Sequence, residues 1–512
     1  MSKSRILGIA LLAASVIMVV IGFVKPDAVD AFNIFWMATA AALIPGVLLL
    51  ANKEVAATYL ARIVTGSVFV VSGLIKANDT IGFGIKLEEY FDVNALGAFW
   101  ASFHDLALPI SFFVSGIEVL LGLALLFGAK ARIVSFALLG MTVFFGWLTY
   151  YTASCEGAQM AAITAGEAFD RVCVTDCGCF GDALRGSVGR SLTPWESFYK
   201  DLGLFFFTVV ILIFSGSIKL NKLKDNVIIF PSALVIILAF GGWLFGWMFP
   251  TYFYLLSILI FFAVGALVKG SESKKSWVFA GVLAVLTYGF AFYTYKYLPI
   301  KDYRPYQVGM NIKDQMKTAD ELGVEGTIYA NVYVMENSET GEKKTMNSKD
   351  YLDQGIWEDE AWKIASTLPK PIVIQHGYEA PIANFVVLDG ENSDIGDLLL
   401  NNPDYSLMVV MYDMKRTQGG TNSAKKLKTL ADGATAAGVD IFVITSSPYD
   451  IYEDYRHENQ LSIDFYSADE VFLKTIIRSN PGVVLLKDGK IIEKWSAAEM
   501  PDFETLSNQY MK

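Results

Sequence analysis

Long uncharged apolar stretches dominate the first 300 residues of this 512-residue chain and constrain its fold more than any other feature. A helix of roughly 20 apolar residues, rising about 1.5 Å per residue, crosses a hydrocarbon core of about 30 Å. Nine stretches approach that length. We therefore predict an α-helical membrane bundle of about nine spans, at 6–24, 32–51, 57–75, 107–128, 132–152, 201–218, 227–249, 251–269 and 277–298.

Two of these spans have an alternative interpretation. The first follows "MSKSR", as the apolar core of a signal peptide would, but its length and the lack of a small-residue cleavage site favour an uncleaved span. Residues 227–269 divide into two spans only if Phe249-Pro250-Thr251 forms a tight turn.

Charges between the spans predict the orientation of the bundle. With nine spans, most Lys and Arg residues of the short loops fall on one side, which should be cytoplasmic: Lys3, Arg5, Lys53, Lys130, Arg132, Lys219, Lys222, Lys224, Lys269, Lys274 and Lys275. This topology predicts a multi-pass protein of the cytoplasmic (inner) membrane in contact with lipid, with residues 153–198 and the C-terminal part extracytoplasmic. The net charge of −11 and the absence of a basic run argue against nucleic acid as a partner.

The loop 153–198 contains every cysteine of the chain, namely Cys155, Cys173, Cys177 and Cys179. Disulfides persist outside the cytoplasm, so paired chemistry is plausible there. Cys177 and Cys179 are separated only by Gly178, which permits the bent backbone that such a close bridge requires, and strained bridges are easier to reduce.

Three interpretations of the cysteines remain open. Cys177 and Cys179 form a redox pair resolved by Cys173 or Cys155, or the four thiols form two structural bridges, or they bind zinc. The spacing of three and then one intervening residues departs from the usual zinc pairs, so no metal site is predicted. His104, His376 and His457 are far apart and lack metal-ligand spacing.

Glu118 lies about ten residues from either end of its predicted span, where a charged group is costly and is a functional candidate by default. It is either protonated or hydrogen-bonded to Ser115 or a neighbouring helix, or it pairs with Lys76 or Lys86. Gly116 and Gly122 on the same helix indicate close helix packing. Farther along, Thr193, Pro194 and Glu196 are typical of a helix start, which places the cysteines just above the bilayer and within reach of a lipid-soluble carrier.

Residues 301–512 have an ordinary soluble composition. Alternating residues at 301–380, with a turn candidate at Glu339-Thr340-Gly341, predict a β-rich connector. In 381–512, apolar runs at 406–412 and 439–446 flank a helical pattern at 421–437, and a hairpin follows through Asp488-Gly489.

This pattern in 381–512 resembles a thioredoxin-like α/β domain of the TlpA sort, with Asn480-Pro481 at that family's cis-proline position. Such enzymes carry Cys-x-x-Cys after the first strand, where this chain has "DMKRTQGGTN". Without a nucleophile the domain cannot exchange thiols, so we expect a binding module.

Residues 62–91, 115–132 and 176–201, including "DCGCFGD", together resemble the DoxX and MauE-like membrane proteins, and residues 297–312 resemble the Bacteroidetes type. The resulting division is two N-terminal transmembrane helices in 1–56, a DoxX/MauE-like bundle in 57–300, the connector in 301–380 and the thioredoxin-like domain in 381–512. The resemblance implies a thiol-redox protein with Cys177 and Cys179 as its redox pair and Glu118, Lys76 and Lys86 as polar residues of the bundle.

The function expected from these features is disulfide formation or electron transfer between an extracytoplasmic thiol protein and a membrane carrier, with quinone as the candidate cofactor. The alternative is a non-enzymatic membrane scaffold that binds a client through the thioredoxin-like domain. A small-molecule transporter is less favoured, because only Glu118 stands out within the spans.

Overall fold

A computed structural model of the chain describes residues 2–24, 33–165, 169, 171–174, 178–188, 190–367, 371–375 and 377–511. The chain divides into two compact units. The first comprises Met1–Ser154, Cys173–Tyr295 and Pro299–Tyr303, and the second comprises Cys155–Val172, Lys296–Leu298 and Arg304–Lys512.

The first unit is helical in its described part. The helices that begin in it are α1 (Lys3–Val24), α2 (Ile34–Leu50), α3 (Glu54–Asn78), α4 (Thr80–Tyr90), α5 (Ala98–Ala101), α6 (Ala107–Phe127), α7 (Ala131–Ala165), α8 (Ala183–Val188), α9 (Pro194–Phe214), α10 (Leu223–Leu238), α11 (Phe249–Leu267) and α12 (Glu272–Lys296). Many large apolar side chains are exposed on the outer helices, as expected for surfaces in contact with lipid.

Within the described residues, eight helices are long and apolar enough to cross a membrane, and the chain is a membrane protein. The second predicted span corresponds to α2, which has 17 residues and is shorter than the other eight spans, when α10 is counted together with the π-helical residues Ala239–Leu244 that continue it. Residues 227–269 do form two helices. The break between them lies at 245–248, because Pro250 starts α11 in the favourable first turn and does not form the predicted turn at Phe249-Pro250-Thr251.

Helices α3 and α6 form the centre of the bundle. In the most apolar stretch of each helix, 72% of the residues of α3 and 61% of those of α6 are buried, against 28% in α10 and in α12. Glycines allow the two central helices to approach closely, since a Cβ added at Gly122 would lie 2.7 Å from the Gly66 carbonyl oxygen. The predicted close packing through Gly122 is therefore present, and Gly116 packs against the ring of Tyr288.

Helix α9 begins where the sequence predicts. The Thr193 side chain accepts a hydrogen bond from the Glu196 backbone N–H at 3.2 Å, and the Glu196 carboxylate accepts one from the Thr193 backbone N–H at 2.8 Å. This reciprocal capping, with Pro194 in the first turn, determines where the chain leaves the cysteine loop and enters the bundle.

Within its described residues, the second unit contains short helices and three small sheets. Its elements are α13 (Ile312–Gln315), α14 (Ala319–Leu322), β1 (Ile328–Ala330), β2 (Val332–Asn337), β3 (Lys343–Asn347), α15 (Ser348–Asp353), β4 (Trp362–Thr367), β5 (Ile372–Gln375), α16 (Gly396–Leu400), β6 (Tyr405–Met411), α17 (Gly420–Ala436), β7 (Asp440–Thr445), α18 (Tyr449–Glu458), β8 (Asp464–Ser467), α19 (Glu470–Ile476), β9 (Gly482–Lys487), β10 (Lys490–Ser496) and α20 (Phe503–Tyr510).

The largest sheet has the order β10-β9-β6-β7-β8. Strands β6, β7 and β8 are parallel, and β9 runs antiparallel to β6 and β10, so the predicted strand-helix-strand unit and hairpin both form. Central strand β6 buries side chains on both faces: Leu407, Val409 and Met411 belong to one apolar cluster, and Met408 and Val410 to the other. The Asn480-Pro481 peptide bond is cis.

We predict that Gly122→Ala destabilises the bundle, whereas Gly140→Ala does not. The added methyl at position 122 meets the backbone of α3, so the helices must separate at a cost of about 1–3 kcal/mol. A Cβ at Gly140 has no atom within 4 Å, which makes this residue of α7 the matched control. Thermal denaturation of the two variants in detergent measures the difference, and equal midpoints would contradict the proposed contact.

Candidate functional site

The cysteines are not equivalent in the structure. Cys155 and Cys173 are disulfide-bonded, whereas Cys179 is a free, partly buried thiol. Cys177 lies outside the described residues. Because a bridged sulfur is not available as a thiolate ligand, a zinc site made of all four thiols does not fit this arrangement. Among the described residues, no three or more His, Cys, Asp and Glu side chains are grouped to hold a metal ion, and His376 lies outside them.

The backbone around Cys179 turns sharply through two glycines. Gly178 has φ +61° and Gly181 has φ +50°, values in the left-handed region that favours glycine. A Cβ at Gly178 would lie 2.6 Å from Cγ of Lys86, so the loop sits directly against this side chain. Phe180, the residue after Cys179, holds the turn against the helices. The centre of its ring lies 5.3 Å from that of Phe245, in the break between α10 and α11.

Below this turn, a buried ion pair joins the two central helices. Lys76 on α3 places its Nζ 2.8 Å from both carboxylate oxygens of Glu118 on α6, and the two side chains are 6% and 3% exposed. Ser72, one turn before Lys76, has its hydroxyl 3.0 Å from Glu118 Oε2 and 3.3 Å from the carbonyl oxygen of Cys179. The ion pair is therefore connected to the cysteine turn through one hydroxyl.

A second ion pair lies on α9. The Lys200 ammonium donates to Asp201 Oδ1, and its Nζ lies 5.8 Å from the centre of the Phe180 ring. Asp201 Oδ2 lies 3.3 Å from the hydroxyl of Thr149 on α7. We call Ser72, Lys76, Glu118, Lys200 and Asp201 the charged core.

The charged core and Cys179 line one small cavity of about 30 Å³. A volume of this size holds about one or two water molecules. Partial burial raises the pKa of the Cys179 thiol. The positive charge of Lys200 opposes this rise most strongly, and the negative charge of Asp201 adds to it. Lys76 lowers the pKa and Glu118 raises it, both by smaller amounts. At neutral pH the resting group is therefore a thiol, next to charges that act on its ionisation.

The structure selects between the partners proposed for Glu118. It pairs with Lys76, whereas Lys86 pairs with Glu89 at 2.6 Å and Ser115 donates to the Ser111 carbonyl oxygen. Sequence reasoning did not identify Ser72, Lys200 or Asp201 as site residues. The signal for the last two was a pair of opposite charges inside the helix that starts at Pro194, next to the apolar stretch 201–218.

Residues 53–159 match the family model described as "Methylamine utilisation protein MauE". This part of the chain is a MauE family domain, of a membrane-associated family, and it includes α3 to α6 and most of α7. Lys76, Glu118 and Ser72 lie within the match, whereas Cys179, Lys200 and Asp201 lie beyond it. No curated protein and no solved structure matches the chain at a significant level.

We predict that Glu118→Gln strongly destabilises the bundle, because it leaves the buried Lys76 ammonium without its counterion. Removing one partner of a buried pair costs about 3–5 kcal/mol, whereas replacing both by apolar residues is often neutral. The double variant Lys76→Met/Glu118→Leu should therefore be more stable than the single one. Glu89→Gln, which breaks the more exposed pair with Lys86, should cost at most about 1 kcal/mol.

Thermal unfolding of the full chain in detergent distinguishes these variants. A single Glu118→Gln variant as stable as the double one would show that the pair contributes nothing to holding α3 against α6.

Proposed function

We propose that the protein is a thiol-redox protein of the cytoplasmic membrane, in which Cys177 and Cys179 exchange disulfides with an extracytoplasmic thiol protein and pass electrons to a membrane carrier. One observation carries the proposal: the free thiol of Cys179 borders a buried cavity lined by two ion pairs. Charged groups within a membrane bundle are costly, and their position beside a thiol gives them a chemical role.

The proposed exchange begins from a Cys177–Cys179 disulfide. A client thiolate attacks one sulfur, a mixed disulfide forms and the other sulfur leaves as a thiolate. A second client thiol resolves the mixed disulfide, so the client loses two electrons and two protons, and the cysteine pair gains both. The disulfide would be restored when the cysteine pair gives two electrons and two protons to a membrane carrier; a quinone would supply this chemistry by taking them up as a quinol.

The small cavity restricts where the carrier can react. Pockets that enclose a drug-sized ligand measure about 300–1,000 Å³, far more than the 30 Å³ beside Cys179. The second recess that Cys179 lines, together with Gly178, Gly181 and Ser191, is smaller still, at about 10 Å³. Neither space encloses a quinone ring, so in this proposal the carrier approaches Cys179 from outside both cavities.

The MauE match supports a membrane role for residues 53–159. The resemblance of residues 62–91, 115–132, 176–201 and 297–312 to DoxX-like and Bacteroidetes-type proteins is the sequence argument for the thiol-redox part of the proposal. The distribution of Lys and Arg supports the extracytoplasmic location of the cysteine loop and of the second unit. In that compartment a cysteine pair can cycle between thiol and disulfide.

We further propose that residues 381–512 are a thioredoxin-like module that binds the client without reacting with it. The parallel β6-α17-β7 unit and the antiparallel β9-β10 hairpin support this likeness. At the end of β6, the segment 413–422 has no cysteine, and the Asn480 side-chain amide donates to the carbonyl oxygens of Asp413 and Arg416. This loop is thus held by an amide in place of redox sulfurs.

A non-enzymatic scaffold is the second candidate. Cys155 and Cys173 are already disulfide-bonded, as expected for cysteines that hold the loop together. In that case the second unit supplies all of the binding and Cys179 takes no part in exchange.

We predict that Cys177→Ser/Cys179→Ser abolishes thiol oxidation of the client while the protein remains inserted. A redox titration of the native protein with a thiol-specific mass tag is the second measurement. A redox pair should titrate reversibly near the potential of its compartment, whereas a structural bridge is reduced only under strongly reducing conditions. Normal client oxidation by the double serine variant would refute the redox proposal and leave the scaffold.

A further inference from the structure

We propose that Asp201 accepts the proton of the Cys179 thiol when the thiolate forms, and returns it when Cys179 leaves a disulfide. Lys200 acts as the positioning residue, since it holds the carboxylate and compensates the new negative charge. This inference rests on the proposed thiol exchange and names the acid–base group that the exchange requires.

The hydrogen bonds of the two buried carboxylates single out Asp201. Both oxygens of Glu118 accept from Lys76 at 2.8 Å, and one also accepts from Ser72. Asp201 Oδ1 is bound by Lys200, but within the described part of the chain Oδ2 has only the Thr149 hydroxyl, at 3.3 Å. The single hydrogen of that hydroxyl has a nearer acceptor, the Phe145 carbonyl oxygen at 2.8 Å. Asp201 Oδ2 is therefore the carboxylate oxygen best placed to take up a proton.

Position supports the same choice. Asp201 is 3% exposed and lines the same cavity as Cys179, so in the proposed step the proton moves within this space, which holds about one or two water molecules. Lys200 reaches the cysteine turn, where its ammonium contacts the ring of Phe180, the residue that follows Cys179. Among the described residues, further charged groups near the turn include Lys76 on α3, Glu118 on α6, Lys86 on α4 and Asp182, which follows Gly181.

The proposed step balances charge within the cavity. The S–H bond of Cys179 breaks, a bond forms between hydrogen and Asp201 Oδ2, and no electron pair leaves the site. Before the step, Lys76 and Lys200 face the carboxylates of Glu118 and Asp201. After the step, they face the Glu118 carboxylate and the Cys179 thiolate. Because the total charge stays at zero, thiolate formation does not leave an uncompensated charge in a buried site.

A proton acceptor and a mere neighbouring charge predict opposite effects of Asp201→Asn at acidic pH. If Asp201 acted only through its negative charge, removing that charge would lower the pKa of Cys179, increase the thiolate fraction and accelerate its reaction. If Asp201 takes up the proton, the variant has no nearby acceptor. Its rate then falls about tenfold for each pH unit below the thiol pKa, whereas the parent rate falls less steeply.

The test uses the full chain in detergent micelles with Cys177→Ser, so that Cys179 is the free thiol beside the bonded Cys155 and Cys173. The probe is 2,2′-dithiodipyridine, a small disulfide whose released thiopyridone is measured by absorbance between about pH 5 and 9. We expect Asp201→Asn to react at least about tenfold more slowly at the acidic end, and Asp201→Glu to recover most of the rate. Asp225→Asn, which removes a carboxylate that pairs with Tyr59 and does not line the cavity, is the matched control.

The outcomes separate this inference from the proposed function. If the parent reacts with the probe and Asp201→Asn reacts at the same rate or faster, only the role of Asp201 is overturned. The same conclusion follows if Asp225→Asn loses as much rate as Asp201→Asn. A parent whose Cys179 fails to react with the probe at any pH overturns the thiol exchange itself. If Asp201→Asn does not elute as the parent does on gel filtration, the reaction rate of Asp201→Glu relative to the parent decides. Its longer carboxylate can still take up the proton, so its rate must also fall less steeply than tenfold per pH unit at acidic pH.

Discussion

The buried ion pair between Lys76 and Glu118 is the interaction on which the described architecture of the first unit depends. It joins the two most buried helices of the bundle, and its charges are balanced only while α3 and α6 remain in contact. Glycines at 66 and 122 bring the same helices close enough for that contact. The ion pair and the glycine contact therefore specify one helix register, since sliding either helix would leave a charge without its partner in a membrane.

The same ion pair also connects the helices to the cysteine turn. Ser72 joins Glu118 to the backbone of Cys179, while Lys200 joins α9 to Phe180, so the turn is held from two sides by polar and aromatic contacts. Positive φ values at Gly178 and Gly181 allow the chain to fold back over the cavity. The free thiol thus has a defined place beside charges, which is the arrangement that thiol exchange at a membrane surface requires.

The helices, the start of α9 and the hairpin could be predicted from local sequence. The partners within the candidate site could not, because they depend on which helices pack together. Apolar length identified the helices, Thr193-Pro194 identified the start of α9, and Asp488-Gly489 identified a hairpin whose two loop residues have φ 49° and 71°. Glu118 stood out because a carboxylate in an apolar run needs a partner, but choosing Lys76 over Lys86 required the packing of α3 against α6. Lys200 and Asp201 were missed because they lie at the edge of the apolar stretch 201–218, and only the packing of α9 shows that both line the cavity beside Cys179.

Direct capture of an exchange intermediate tests the central claim that Cys179 is a working thiol. In cells carrying Cys177→Ser, the Cys179 thiolate can attack the disulfide of an already oxidised client and release one client thiolate. The mixed disulfide has no Cys177 to resolve it, so part of it should persist after rapid acid quenching. The account predicts a reductant-sensitive adduct of an extracytoplasmic protein that contains the Cys179 peptide and is absent from Cys177→Ser/Cys179→Ser. A Cys179 that is recovered entirely as a free thiol, with no adduct in either variant, would contradict it.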